Sequence, residues 1–234
     1  MGPRLAFEGP MMSLRFLSAL VFFLAGLAVL LGLGTWQVQR MHWKNAILAD
    51  IAARIGGTPD EVPALPDAEA DRYRPVAVTG AFTGERLYVL SGQKEAGPGV
   101  RVISVLQTGD GRRLLVDRGF LPEAEKTRPL AVTTARITGN LMWPQDSDSY
   151  TPPPDPATGI WFARDALAMA AALHTEPTFI VAAEPTGDGI MAMPVDTSAI
   201  PNNHWGYAIT WFLLAAVWAV MTVALLWRIR RQTA

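Results

Sequence analysis

Residues 16–34, "FLSALVFFLAGLAVLLGLG", and residues 205–227, "WGYAITWFLLAAVWAVMTVALLW", contain no charged side chain. Crossing a hydrocarbon core as an α-helix takes roughly 20 mostly apolar residues, and both runs meet that length. They predict two membrane spans, one near each end of a 234-residue chain. The first run follows Arg4 and Arg15, as a secretory signal would. It nevertheless outlasts the ~7–15 residues of a cleaved apolar region, and no small-x-small cleavage site follows before Trp36. It therefore reads as a retained anchor. The short head carries Glu8, unlike a mitochondrial presequence, which favours a bacterial membrane. Met1, Met11 and Met12 each offer a start of translation.

Basic residues beside the spans set orientation. Around the first run they are divided, with Arg4 and Arg15 before it and Arg40, Lys44 and Arg54 after it. Arg228, Arg230 and Arg231 crowd the end of the second run, whereas Asp188 and Asp196 precede it, which puts the C-terminus in the cytoplasm. Two spans return the N-terminus to the same side. The expected plan is a cytoplasmic head at 1–15, a transmembrane helix at 16–38, a periplasmic domain at 39–203, a second transmembrane helix at 204–227 and a cytoplasmic tail at 228–234.

The middle segment alternates with period two in "PVAVTGAF", "RLYVLSG", "GVRVISVLQT", "RRLLVDRGFL" and "ARITGNLMW", the pattern of half-buried strands. Thr108-Gly109-Asp110-Gly111 reads as a hairpin turn. Asp165 caps a short helix over "ALAMAAALH", and "TFIVAA" adds another strand. Proline-rich stretches at 56–75 and 146–156 read as irregular surface. The fold class expected is a membrane-anchored α+β protein: two terminal helices flanking an antiparallel sheet or open barrel of five to seven strands, with one short helix.

A net charge of −1, with a mildly acidic middle and basic tails, argues against nucleic-acid binding. The chain has no cysteine, so thiolate metal sites, dithiol redox centres and cysteine nucleophiles are excluded. No nucleophile elbow, phosphate-cradling loop or zinc-protease helix occurs, and the expectation is a protein that is not an enzyme. Met191 and Met193 alternate in "GIMAMP", where thioethers would suit Cu(I), but without cysteine or a nearby histidine they read as packing residues.

Three histidines remain. His42 reads as a surface residue just outside the first span, and His174 as the end of the short helix. His204 stands in "NNHWGYAITW", where Asn202 or Asn203 would cap the helix and leave the imidazole in its first turn at headgroup level. Tyr207, Ala208 and Trp211 share its side of the helix. Spacing alone admits an interfacial belt of aromatic residues or a ligand for a metal. On the first helix Trp36, Arg40, Trp43 and Ile47 share one face, and Ala28 with Gly32 offers a smooth surface for contact with Ala208, Ala215 and Ala219. A flat macrocycle between the spans would place its iron on His204 and its carboxylates toward Arg40 or Lys44.

"GTWQVQRMHWK", "YRPVAVTGAF", "GPGVRVISVL" leading into "LLVDRGFLP", and "NNHWGYAITWF", in this order between two terminal spans, resemble the Surfeit locus protein 1 family, assembly factors for haem-copper cytochrome c oxidase. The resemblance covers residues 34–212. It implies a role in maturing oxidase subunit I in the inner membrane, with haem a bound transiently and haem a synthase as a further partner, whether the target is a cytochrome c or a quinol oxidase. His204 matches the family's candidate haem ligand, with Trp36, Gln37, Arg40, Tyr207 and Trp211 as its expected surroundings. Trp36 and Gln37 match the Trp-Gln motif, and Arg118 and Gly119 match the Arg-Gly motif. Phe120 stands where the family usually has tryptophan, and Ser104 where proline is common. The alternative the resemblance leaves open is a tethered scaffold without a cofactor.

Overall fold

The computed structural model describes residues 14–198 and 200–233. The three candidate start codons and most of the expected cytoplasmic head lie outside the described residues. The chain divides into two compact units, one containing the terminal helices up to Leu48 and from Ile200, the other running from Ala49 to Ala199.

Helix α1 spans Leu14–Ile55 and helix α3 spans His204–Thr233. At 1.5 Å per residue the 42 residues of α1 extend about 63 Å, roughly twice a hydrocarbon core. It continues well past residue 38. Between Gly34 and Gly56 the sequence has no proline or glycine and includes four Ala, two Gln and two Arg, so nothing interrupts the backbone ladder. Gly56 and Gly57 stop it, their N–H groups bonding back to the carbonyls of Ala52 and Arg54 at 3.0 and 3.3 Å.

Both helices are long and apolar enough to cross a membrane. Their outward faces carry Val21, Phe22, Leu24 and Val29 on α1, and Leu213, Val217, Val220 and Val223 on α3, all exposed. Such faces suit lipid rather than water. Where they pack on each other, Phe23, Leu27, Leu30, Gly34, Gln37, Met41 and Lys44 of α1 are shielded. On α3 the shielded positions are His204, Ala208, Trp211, Ala215, Trp218 and Thr222. Steps of three and four alternate on both helices, the 3.5-residue period of a left-handed antiparallel seam.

Small residues on one side receive rings from the other. A Cβ on Gly26 would lie 2.6 Å from the Trp218 ring, and one on Gly34 would lie 2.7 Å from Phe212. The Trp218 indole N–H also donates to the Phe23 carbonyl at 3.0 Å, sparing a polar group in an apolar setting. Gly32 faces open space and Ala28 is exposed, so the smooth surface expected at Ala28 and Gly32 is not the one used. In a run that is apolar all round, hydropathy carries no phase, and the fit of ring into hollow selects the face instead.

In the second unit, strands β1 (Asp60–Glu61), β2 (Pro75–Gln93), β3 (Gly97–Thr108), β4 (Arg113–Pro122), β5 (Thr134–Met142), β6 (Ile160–Trp161) and β7 (Phe179–Ala182) form one sheet. Antiparallel ladders β2–β3, β3–β4, β5–β7 and β2–β5 carry most of the pairing, while β1–β2, β2–β6 and β4–β7 are parallel. The sheet closes: β2 pairs β3 through its second half and β5 through its first, and β4 reaches β5 by way of β7. The expected α+β architecture is present, with a closed ring of five strands where an open sheet or barrel was anticipated. Closure needs β2 to bend, and a register shift between Phe82 and Arg86, with Gly84 at φ +88°, supplies the bend.

Inside the ring lie Val76, Phe82, Leu106, Leu114, Val116, Ile137, Leu141 and Ile180. A second apolar layer, on the other face of the same strands, packs Ile103, Val105, Leu115 and Phe179 against helix α2 (Ala166–Leu173) through Met169 and Ala170. Asp165 caps α2, its side chain accepting the Ala168 N–H at 3.0 Å. Because β4 is covered on both faces, all its residues from Leu114 to Leu121 are buried. The turn at Thr108–Gly111 forms as the sequence indicates, with Gly111 at φ +86°.

Candidate functional site

His204 opens α3, and its ring turns toward α1. The Nδ1–H group donates to the Gln37 carbonyl oxygen at 2.8 Å. With the Gln37 oxygen turned to the ring, the pairing is one in which Nδ1 carries the hydrogen, because that oxygen only accepts. Nε2 has no partner among the described residues and is not enclosed. A neutral imidazole in this tautomer presents a lone pair at Nε2, the group that binds transition metals.

Two further bonds fasten the helix pair just beyond this point. Asn202 donates through Nδ2 to Oδ1 of Asn45 at 2.6 Å, and Lys44 donates through Nζ to the Pro201 carbonyl. Neither contact was anticipated. The sequence offers Asn202 or Asn203 as the cap and Arg40 or Lys44 for a ligand carboxylate; Asn202 instead reaches α1, and Lys44 reaches the segment just before α3. Asn203 serves the helix start, its carbonyl accepting the Tyr207 N–H at 3.4 Å. A sequence signal did exist: Gln37, Lys44 and Asn45 stand seven and eight residues apart, two helical turns, which keeps polar groups on the seam face.

Of the residues expected around His204, Gln37 touches it. Trp211 is half-buried one seam step beyond Ala208. Trp36 and Tyr207 point outward, 54% and 59% exposed, and do not enter the seam. Arg40 stacks on the Trp43 ring, 3.8 Å from its centroid, and has no carboxylate partner among the described residues. Trp36, Arg40, Trp43 and Ile47 thus share a face, as their spacing indicates, but an exposed one rather than the one that meets α3.

The seam corrects the picture of a macrocycle held between the spans. The Gly34–Phe212 and Gly26–Trp218 contacts fill that space. The apolar hollow on this unit, about 600 Å³, is lined by Ala219, Val220, Val223, Ala224 and Trp227. It begins fifteen residues along α3 from His204, about 22 Å away. A metallated macrocycle fits His204 only from outside the pair, at Nε2, with exposed aromatic rings and a free guanidinium on the surrounding surface. The residues present suit such a group: an open imidazole nitrogen with its other nitrogen already committed is the usual donor arrangement for haem iron.

In the barrel, Asp117, Arg118 and Gly119 form a bulge. Asp117 pairs with Ile103 and Gly119 with Val102, leaving Arg118 as the extra residue. Asp117 is 1% exposed; it accepts from Arg101 at 2.7 Å and from the Gly119 N–H at 3.1 Å. Arg118 bonds Asp188 at 2.8 Å and Thr186 Oγ1 at 2.8 Å, and lies over the Phe82 ring. Gly119 has φ +111°, and a Cβ there would sit 2.0 Å from the Met191 carbonyl oxygen. Phe120 is fully buried and exchanges both backbone hydrogen bonds with Met191. The Arg-Gly pair is therefore a structural clasp with its charge already neutralised.

Two terminal helices of membrane-spanning character, with a closed small barrel between them in the sequence, define an anchored α+β protein. The family model described as the SURF1 family matches residues 24–216, and the chain belongs to that family. It is 31% identical to Surfeit locus protein 1 of Homo sapiens over 210 residues, covering 79% of this chain and 70% of the relative. It is 30% identical to Surfeit locus protein 1 of Xenopus tropicalis, with 79% and 68% covered. A SURF1-like protein of Monosiga brevicollis is 31% identical, with 84% and 83% covered.

Proposed function

We propose that this protein assists assembly of a haem-copper cytochrome c oxidase by holding haem a on His204 and passing it to subunit I. Family membership supports the oxidase-assembly role. The observation that carries the haem reading is the His204 ring, fixed through Nδ1 by Gln37 and open at Nε2. Haem a would supply an iron that takes an imidazole nitrogen, and His204 would hold it. Arg40, stacked on Trp43 and free of carboxylates among the described residues, is suited to a propionate. Trp36 and Tyr207 offer exposed ring surface beside the site. The protein would sit in a bacterial inner membrane with both termini cytoplasmic and the barrel periplasmic, where haem a synthase is a natural donor.

Purification from cells that make haem a tests this reading. The wild type is expected to carry haem a in its optical spectrum and after extraction, and His204→Ala to lose it. A wild type without haem, or an equal load in the variant, overturns the proposal. The packed seam favours a second reading, a scaffold without cofactor, because it leaves no slot between the helices. That reading expects stably expressed His204→Ala to support full oxidase assembly.

A further inference from the structure

We infer that Gln37 is a positioning residue which fixes the tautomer of His204 and so selects Nε2 as the nitrogen that receives a metallated macrocycle. The inference deepens the haem reading above and rests on it for the identity of the ligand, but its structural content is independent of any cargo.

An isolated neutral imidazole exchanges its proton between the two nitrogens, and each tautomer offers a different lone pair. At the start of α3 the contact with Gln37 sets one tautomer apart. Gln37 is held by α1, its oxygen lies 2.8 Å from Nδ1, and an amide oxygen has no hydrogen to give. The ring must donate from Nδ1 or lose the bond at a partly shielded position, a loss of the order of 1 kcal/mol. The cost of losing the bond therefore favours the tautomer with its lone pair at Nε2. The same bond limits rotation of the ring about its Cβ–Cγ axis.

The surroundings are built to keep that bond. Asn45–Asn202 and Lys44–Pro201 close the helix pair two turns beyond Gln37, while Gly34 and Phe212 close it one turn before. Gln37 sits between two fastened points and has little freedom to leave the histidine. A carboxylate at 37 would bind the ring more strongly and push charge onto any bound metal. An amide orients without adding charge, which suits a site that must release what it holds.

The test reads the tautomer directly. With three histidines in the chain, His42→Gln and His174→Gln assign the ring signals of ¹⁵N-histidine-labelled protein. At about pH 8, well above the ordinary imidazole range, the ligand-free wild type is expected to show His204 with a protonated Nδ1 and a bare Nε2. Gln37→Leu is expected to remove that preference. A wild type protonated at Nε2, or a Gln37→Leu protein with unchanged signals, overturns the inference whatever its haem content. In haem-loaded protein, Gln37→Leu should weaken binding by roughly 10–100-fold, and Gln37→Glu should restore binding and lower the haem midpoint potential. Equal affinity and potential in all three proteins would also overturn it. Absence of haem from the wild type would instead sink the carrier reading and leave the tautomer result standing.

Discussion

The barrel and the helix pair treat their polar side chains in opposite ways. In the barrel, the buried charges Asp117 and Arg118 are engaged by Arg101, Asp188, Thr186 and a backbone N–H, and neither is left over for a ligand. In the helix pair, His204 satisfies one nitrogen and keeps the other open. A group fully bonded within the protein stabilises a fold; a group half bonded is prepared for something from outside. By that measure the Arg-Gly motif maintains the barrel, and the histidine motif carries the chemistry.

Four changes would break or sharpen this contrast. The largest effect is expected from Asp117→Leu, which removes a buried carboxylate, leaves the half-buried Arg101 without its charge partner and removes an acceptor from Gly119. A loss of about 3–5 kcal/mol follows when one member of a buried pair is removed. Thermal unfolding should show it as a low or absent barrel transition, with the helix signal retained. Gly119→Ala forces a Cβ into the Met191 carbonyl at a positive φ and should cost at least about 3 kcal/mol. A midpoint within a degree or two of wild type would show that the bulge is not a rigid clasp.

In the helix pair, Gly34→Leu overpacks the seam against Phe212 and should cost about 1–3 kcal/mol. A chain without native cysteine makes the check simple: Asn45→Cys and Asn202→Cys should crosslink readily, and less so when Gly34→Leu is added. The smallest effect concerns acid. Burial pushes the Asp188 carboxyl up, but the Arg118 hydrogen bond, the Ala131 N–H and the charges of Arg118 and Arg128 outweigh it and leave it below 3.8. A depressed carboxylate contributes stability above its unfolded value and loses it as pH falls through the folded one. The Asp188 contribution to barrel stability should therefore be full and independent of pH near neutrality and decline below about pH 4. In Asp188→Asn that acid limb should flatten, as read from unfolding midpoints against pH.

The parts of the molecule legible in the sequence are those with local causes. Two uncharged runs announced α1 and α3, period-two alternation announced the strands, Asp165 announced α2, and Thr108–Gly111 announced a hairpin. Closure of the barrel was not legible, because pairing of Pro75–Ala81 with Thr134–Asn140 joins segments whose alternation looks the same in an open sheet. Nor was the seam. Between residues 16 and 34 every position is apolar or small, so Ala28–Gly32 and Gly26–Gly34 were equivalent until the rings of Trp218 and Phe212 distinguished them. Among the site residues, His204 stood out as an imidazole where an anchor needs none. The role of Gln37 depended on a contact across 167 positions, which one chain read in order does not display. Asp188 as the counter-charge of Arg118 was hidden for the same reason.

The glycines of α1 and the rings of α3 are unlike halves of one fit. Neither helix carries both halves of the Gly26–Trp218 and Gly34–Phe212 fits, so α1 set against α1, or α3 against α3, cannot reproduce those two contacts. The match each segment carries is thus the opposite end of the chain and not a second copy of itself, a distinction written in the size of residues rather than in charge.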